Sequence, residues 1–392
     1  MNRSLFLYLP GAVLLLVNLV SCRKTDETAT PAVPAPAVTT DRRISPEGLS
    51  YQDIEIDNTR KKAVYLRGET SEIWLANVDV ATGGFVSANG ADLRMSTDAA
   101  PFGLNNVNGP EFGDNANGWG VYYTKANGPV YQLWRSTVQG TTAIETPLTS
   151  GSSLRSGVLA STNRQLPQTR LIYIRKTDKT RLMWLDENSP ALEVELPSAV
   201  GGVSGPRSLP NSPDIIFCTT NGQIARYNAT TQAVQTLTND AGTKTDAFGW
   251  RAPEYGGDLL LFAIVDQTSL AVYKNNGGVF WERIKTLTVD PVSSHPFVYS
   301  AEPFVGENGT KSYFSLHQQR DKVTPPLQTD ASIWVWGLDG SRKRCDNGAA
   351  GRRLDPEFYY GTTEIHLLYN LIVPAAGGNR WEAWSCGTGI RP

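Results

Sequence analysis

Four glutamates recur in similar strings along the chain: Gly109-Pro110-Glu111-Phe112, Ala252-Pro253-Glu254-Tyr255, Ala301-Glu302-Pro303-Phe304 and Asp355-Pro356-Glu357-Phe358. Glu111, Glu254 and Glu357 hold one position, just ahead of an aromatic residue. Glu302 is displaced by one, which on a strand turns its side chain to the opposite face. Paired carboxylates are what glycoside hydrolysis requires: one protonates the leaving oxygen, the other attacks or activates water. A repeated acid at a repeated position also has a plainer use, accepting hydrogen bonds from backbone donors or from Arg207, Arg251 or Arg353. Catalysis needs carboxyl groups with unlike pKa values, so repetition weighs toward the plainer use.

Two further groups carry chemistry. Phe248-Gly249-Trp250-Arg251 sets a flat apolar surface beside a guanidinium, which suits a sugar ring or an acidic glycan and equally a packed core. His295 with Tyr299, and His317 at the start of a long loop that also holds Arg320, are base and acid candidates for a lyase acting on uronic acids. His366 lies inside the apolar run Ile365 to Leu368 and reads as structural. The chain has only three histidines and four cysteines and no CxxC or HExxH string, so neither a metal nor another cofactor is expected.

These residues must be positioned by a repeated element. One aromatic series is Trp74, Trp134, Trp184, Tyr227, Tyr273, Trp334 and Trp384, whose members stand 43 to 61 residues apart. A second series, Tyr65, Tyr123, Tyr173, Phe217, Phe262, Phe314 and Tyr369, runs ahead of the first by one hairpin. Two series in step, each seven long, predict an all-β fold: a single seven-bladed β-propeller of four-stranded antiparallel blades. Alternating apolar and polar residues between Gly, Asn and Asp turns support strands, for example Leu259 to Val265, Ser269 to Lys274 and Trp281 to Val289. No segment has helical periodicity. After Phe358 too few residues remain for a fourth strand, so a segment around Arg43 to Leu49 is expected to complete the last blade and close the ring.

The Pro-Xaa-aromatic openings, followed by a Gly/Asn turn and an apolar strand, resemble the TolB-type propeller repeat over most of residues 45–392. The Ser-Pro-Asp-Gly turn of that repeat is replaced by turns such as Gly113-Asp114-Asn115 and Gly256-Gly257-Asp258. The resemblance implies architecture, not activity. With acids near the strand starts at the mouth of the channel, the chain looks like propeller glycosidases in a general sense only. Long insertions, at about 87–108, 317–326 and 373–380, all fall at one end of the strands, the end where function is expected.

The N-terminus combines Arg3 with an apolar run from Leu5 to Val20, too short and too interrupted by Pro10 to span a membrane. Leu19-Val20-Ser21-Cys22 resembles a bacterial lipobox, which implies a signal peptide over 1–21, lipidation at Cys22 and export to the cell envelope, in the outer membrane. Residues 22–44, rich in Thr, Pro and Ala, read as an extended tether ahead of a propeller over 45–392. Export makes a disulfide possible. Cys345 and Cys386 are the expected pair, because Cys218 sits in the apolar strand Ile215-Ile216-Phe217-Cys218.

The net charge is −2 over 392 residues, which gives no electrostatic footprint for nucleic acid. Three readings follow. A lipid-anchored propeller binds a glycan or protein partner on its elaborated face; this reading is favoured narrowly. Alternatively it is a carbohydrate-active enzyme, hydrolase or lyase, with its site at the channel mouth, or a structural member of an envelope complex.

Overall fold

The computed structural model describes residues 41–392, apart from 87–91, 101–108, 116–117, 129, 161–169, 177–179, 188–191, 197–203, 323–329 and 377. The proposed signal segment, Cys22 and the tether up to residue 40 lie outside the described residues.

Seven four-stranded antiparallel sheets form the blades of a propeller. Each is a meander a-b-c-d, as in blade 5: Lys244–Ala252, Asp258–Val265, Ser269–Lys274 and Glu282–Thr288. The expected aromatic series mark strands b and c. In blades 1, 2 and 7 their members face each other across the hairpin, as Tyr65–Trp74, Tyr123–Trp134 and Tyr369–Trp384. Every strand-b aromatic is essentially buried, so each blade contributes a large ring to the packing against its neighbour. One such layer joins Trp250 and Phe262 of blade 5 to Phe314 of blade 6 through edge-to-face contacts with centroids 4.9 to 5.9 Å apart.

The hydroxyls of the buried strand-b tyrosines need partners, and acids at or just before strand d supply them. Tyr123 donates to Glu145 (2.8 Å), Tyr173 to Glu193 (2.5 Å) and Tyr65 to Asp92 (2.5 Å). Tyr369 does the same with Asp41.

That last contact belongs to the ring closure. Arg42–Arg43 is strand d of blade 7, with Arg42 opposite Ser385 and Arg43 opposite Trp384. The N–H groups of Ile44 and Ser45 both donate to Ala383 O. Cys345, just after strand d of blade 6, is disulfide-bonded to Cys386 on strand c of blade 7, with Cα atoms 5.9 Å apart. Cys218 takes no part in the disulfide and is buried in the core between blades 4 and 5.

Strand a, innermost in each blade, departs from the sequence reading in its register. Six of the seven strands carry a β-bulge. Its αL residue is Asp53, Gly157, Gly205, Asp246, Ser300 or Asp355, with φ between 45° and 61°. The structural repeat is therefore an αL residue, a small or apolar residue, and then a residue directed into the channel. The Pro-Glu-aromatic string does not keep step with it. Pro356 sits within the bulge of blade 7, where a missing N–H is tolerated. In blade 5, Pro253 instead ends strand a, and Pro253–Tyr255 forms a 3-10 turn closed by Gly256 at φ 67°.

Candidate functional site: an acid-lined channel

The bulge places two layers of side chains around the axis. The αL layer is Asp53, Gly157, Gly205, Asp246, Ser300 and Asp355, with Gly109 at the equivalent place in blade 2, where the described pairing runs without a bulge. Two residues further on, the second layer is Glu55, Glu111, Leu159, Arg207, Phe248, Glu302 and Glu357. Among the described residues, seven carboxyl groups from five blades thus share the channel with one guanidinium.

The αL layer is linked from blade to blade. Asp355 interacts with Ser300 on one side and with Asp53 on the other. Asp53 Oδ2 in turn accepts from the Gly109 N–H at 2.5 Å, and the Asp53 N–H donates to Asn370 Oδ1 at 3.1 Å. Gly109 is required here, because a Cβ would stand 2.3 Å from Asp53 Oδ2. On the far side Gly205 takes Asp246 in the same manner, where a Cβ would meet Asp246 Oδ1 at 2.9 Å.

Electrostatics follow from this crowding. The carboxyls lie deep among protein atoms although most keep some access to the channel. Desolvation, then the neighbouring acids, push Glu55, Glu357 and Asp53 well above the ordinary carboxylate range. Glu111 is raised to about 8, chiefly by desolvation, with Glu302 and Asp355 adding and Arg207 opposing. Glu302 is raised to about 7 for the same leading reason. Desolvation also raises Asp246 and Asp355, with Arg207 opposing in both. Burial alone would lower the Arg207 pKa, but the surrounding Glu302, Glu111, Asp246 and Glu55 raise it. Its guanidinium lies over the Phe248 ring, 4.7 Å from the centroid, so the channel also offers an aromatic–guanidinium surface.

The structure sorts the expected residues. Glu111, Glu302 and Glu357 occupy one structural position and meet in the channel. Glu254, in the 3-10 turn, does not join them: its carboxylate accepts from Ser312 N at 2.5 Å and Ser312 Oγ at 2.7 Å. Trp250, expected at a binding surface, is core, its Nε1 donating to Ser312 Oγ at 3.1 Å. Arg251 is exposed and donates to Gly257 O. In that string Phe248 is the residue that reaches the channel layer.

The histidines separate as well. His317 stacks on Tyr299 (centroids 5.5 Å apart, 16° between planes). It is 1% exposed, and neither ring nitrogen has a hydrogen-bond partner among the described residues. Desolvation lowers its pKa to about 3, so it is neutral. His295 lies between Ser294 Oγ (2.9 Å from Nδ1) and Asp330 Oδ2 (3.3 Å from Nε2). Arg320 is exposed and paired with Asp321. Of the three insertions, the one in blade 7 is a lengthened hairpin pairing Pro374 with Asn379; parts of the other two fall outside the described residues. Among those described, no group of three or more His, Cys, Asp or Glu residues is arranged to hold a metal ion.

Sequence reasoning missed Asp53, Glu55, Asp246 and Asp355 and gave Arg207 only a supporting part. A usable signal was the two-residue step from a turn-prone residue to an acid, as in Asp53-Ile54-Glu55 and Asp355-Pro356-Glu357.

No protein-family model matches the chain, and no curated protein matches it in sequence. Its fold is similar to that of an oligogalacturonate lyase from Vibrio parahaemolyticus (TM-score 0.57, 12% identity, covering 90% of this chain and 96% of that one). An oligogalacturonate lyase solved in complex with manganese is similar to the same degree (0.57, 10%, 90% and 95%). The β-propeller domain of Cps50 (Swd1) from Myceliophteria thermophila follows (0.53, 11%, 89% and 99%). At such identities the likeness establishes the seven-bladed propeller alone.

Proposed function

We propose that the protein is a carbohydrate-binding propeller whose ligand enters the acid-lined channel, and that this ligand is an uncharged or amino-bearing sugar. One observation carries the reading: carboxyl groups from five blades converge beside a Phe248–Arg207 surface, and Glu111 and Glu302 hold their protons near neutral pH. A protonated carboxyl both donates and accepts a hydrogen bond, which matches the hydroxyls of a sugar. A ring of acids with one arginine disfavours a polyanion, so the oligogalacturonate for which the lyase neighbours are named does not carry over.

A second reading is glycoside hydrolysis in the same channel. A carboxylic acid protonated near neutral pH is what a general acid requires, and Glu111 or Glu302 provides it. Arg207 favours ionisation of a partner carboxylate that would serve as base or nucleophile. The lipobox resemblance at Cys22 adds the proposal that the propeller works tethered to a bacterial envelope membrane, where an envelope protein is the alternative partner.

The test is titration calorimetry with neutral, amino and uronic oligosaccharides, alongside chromatography of the same mixtures for products. Binding of neutral or amino sugars that is lost in Glu111→Gln and Glu302→Gln supports the site. New oligosaccharide peaks, also lost in those variants, make it a hydrolase. Preference for uronic oligosaccharides that is lost in Glu111→Gln and Glu302→Gln, or unsaturated products, would overturn both readings.

A further inference from the structure

At the opposite end of the strands from the elaborated loops, the turns of blades 5 and 6 enclose a cavity of about 400 Å³. Its floor is built by hydrogen bonds. Trp250 Nε1 donates to Ser312 Oγ, and Ser312 donates to Glu254 through both its N–H and its Oγ. Asp339 is likewise engaged: its Oδ1 accepts from the Ser341 N–H at 2.8 Å. The Ser341 donors, with Lys311 and Lys285 nearby, hold Asp339 below the usual carboxylate range. Both acids at the cavity are therefore turned to donors of the chain itself.

The cations at the cavity are not engaged in this way. Lys285 and Lys311 line it, and among the described residues neither ammonium makes a hydrogen bond or an ion pair within 4.0 Å. Tyr255, Leu338 and Tyr313 also line the cavity. The Tyr313 hydroxyl is pushed up to about 12, first by desolvation and then by Glu307, Asp339 and Glu254, so it stays a donor. The cavity thus offers apolar and aromatic walls, a phenolic donor and two uncommitted ammonium groups. A volume of this order accommodates a ligand the size of one sugar ring.

We propose that this cavity binds a small organic anion: a sugar-sized ring against Tyr255, Tyr313 and Leu338, with its carboxylate or phosphate between Lys285 and Lys311. The site is separate from the channel and does not depend on the function proposed for it. It would let one propeller hold an uncharged sugar at one end and an acidic one at the other.

Calorimetry with glucuronate, glucose 6-phosphate and glucose, on the full chain carrying Glu111→Gln and Glu302→Gln to silence neutral-sugar binding in the channel, tests this. Saturable binding of either anion, with glucose at least about tenfold weaker, is expected. Glucuronate alone identifies a carboxylate ligand, glucose 6-phosphate alone a phosphate. Lys285→Gln and Lys311→Gln should each weaken the anion several-fold, and the double variant should abolish it. Thermal melts of these exposed-site variants should match the parent. The proposal is overturned if neither anion saturates, if glucose binds as well, or if the double variant keeps its affinity.

Discussion

Replacing Glu111 by Gln should make the protein more stable in alkali, and the structure gives the size of the effect. In an unfolded chain a glutamate loses its proton near 4.5; in the channel Glu111 keeps it to about 8. Between those values the folded state holds a proton that the unfolded state has released, so stability falls as pH rises through that window and is level above it. Each factor of ten in the protonation equilibrium is worth about 1.4 kcal/mol, so full desolvation would cost about 5 kcal/mol at pH 9. The value of about 8 already includes the opposing Arg207 charge; screening by channel solvent reduces the cost to about 1–3 kcal/mol. Gln has the same shape and no charge. Thermal melts of parent and variant across pH 4 to 9 read the difference. The variant should match the parent at pH 4 and melt several degrees higher at pH 9. Equal or lower melting of the variant at pH 9, with the same gap as at pH 4, would refute the claim that Glu111 is a desolvated channel carboxyl.

Other outcomes follow from the same geometry. Gly109→Ala drives a Cβ into Asp53 and should cost about 1–3 kcal/mol in denaturant unfolding, with loss of channel binding. Cys345→Ser opens a loop whose ends are 41 residues apart in sequence, a constraint of about 4 kcal/mol by loop-closure entropy, and should lower the melting temperature; reduction of the parent should do the same. Tyr369→Phe leaves Asp41 without its phenol donor and should cost about 1–3 kcal/mol, read by melting at neutral pH. His317→Phe removes two unpartnered buried nitrogens. Because the His317 pKa lies near 3, below its unfolded value of 6.5, its cost grows as pH falls from 6.5 toward 3, so the variant should gain most at pH 4.

The architecture was legible because each blade must bury one large ring on strand b and present another on strand c. That need put Tyr65, Tyr123 and their five counterparts at readable spacing. The need for a closing strand was legible from an accounting of backbone partners, an unpaired edge after strand c of blade 7; its place was not, since the strand is Arg42–Arg43, at the end of the stretch read as tether, and overlaps the expected 43–49 only at Arg43. The site was only half legible. Glu111, Glu302 and Glu357 stood out, but the string that flagged them also flagged Glu254, because proline serves equally inside a bulge and at the end of a strand. What aligns the channel residues is a positive φ, and Asp, Ser and Gly all supply it, so no single letter marks the position. Trp250 and Phe248 are two residues apart on one strand, yet one packs between blades and the other reaches the channel. That depends on inter-blade packing, which local sequence does not encode.

The pairing of Arg42–Arg43 with the strand that holds Trp384 has a consequence for the order of assembly. The first strand of the ring to leave the ribosome can find its place only when strand c of blade 7, more than 300 residues further on, has followed it. Until then blade 7 lacks an edge and the ring stays open, so the propeller matures by joining its two ends, a contact with a high loop-closure cost. Cys386 lies on that same strand, so the covalent link to Cys345 can form only once strand c of blade 7 has been made. A chain cut after residue 372 would lose the whole of that strand and the disulfide together, and with them the means to finish the circle.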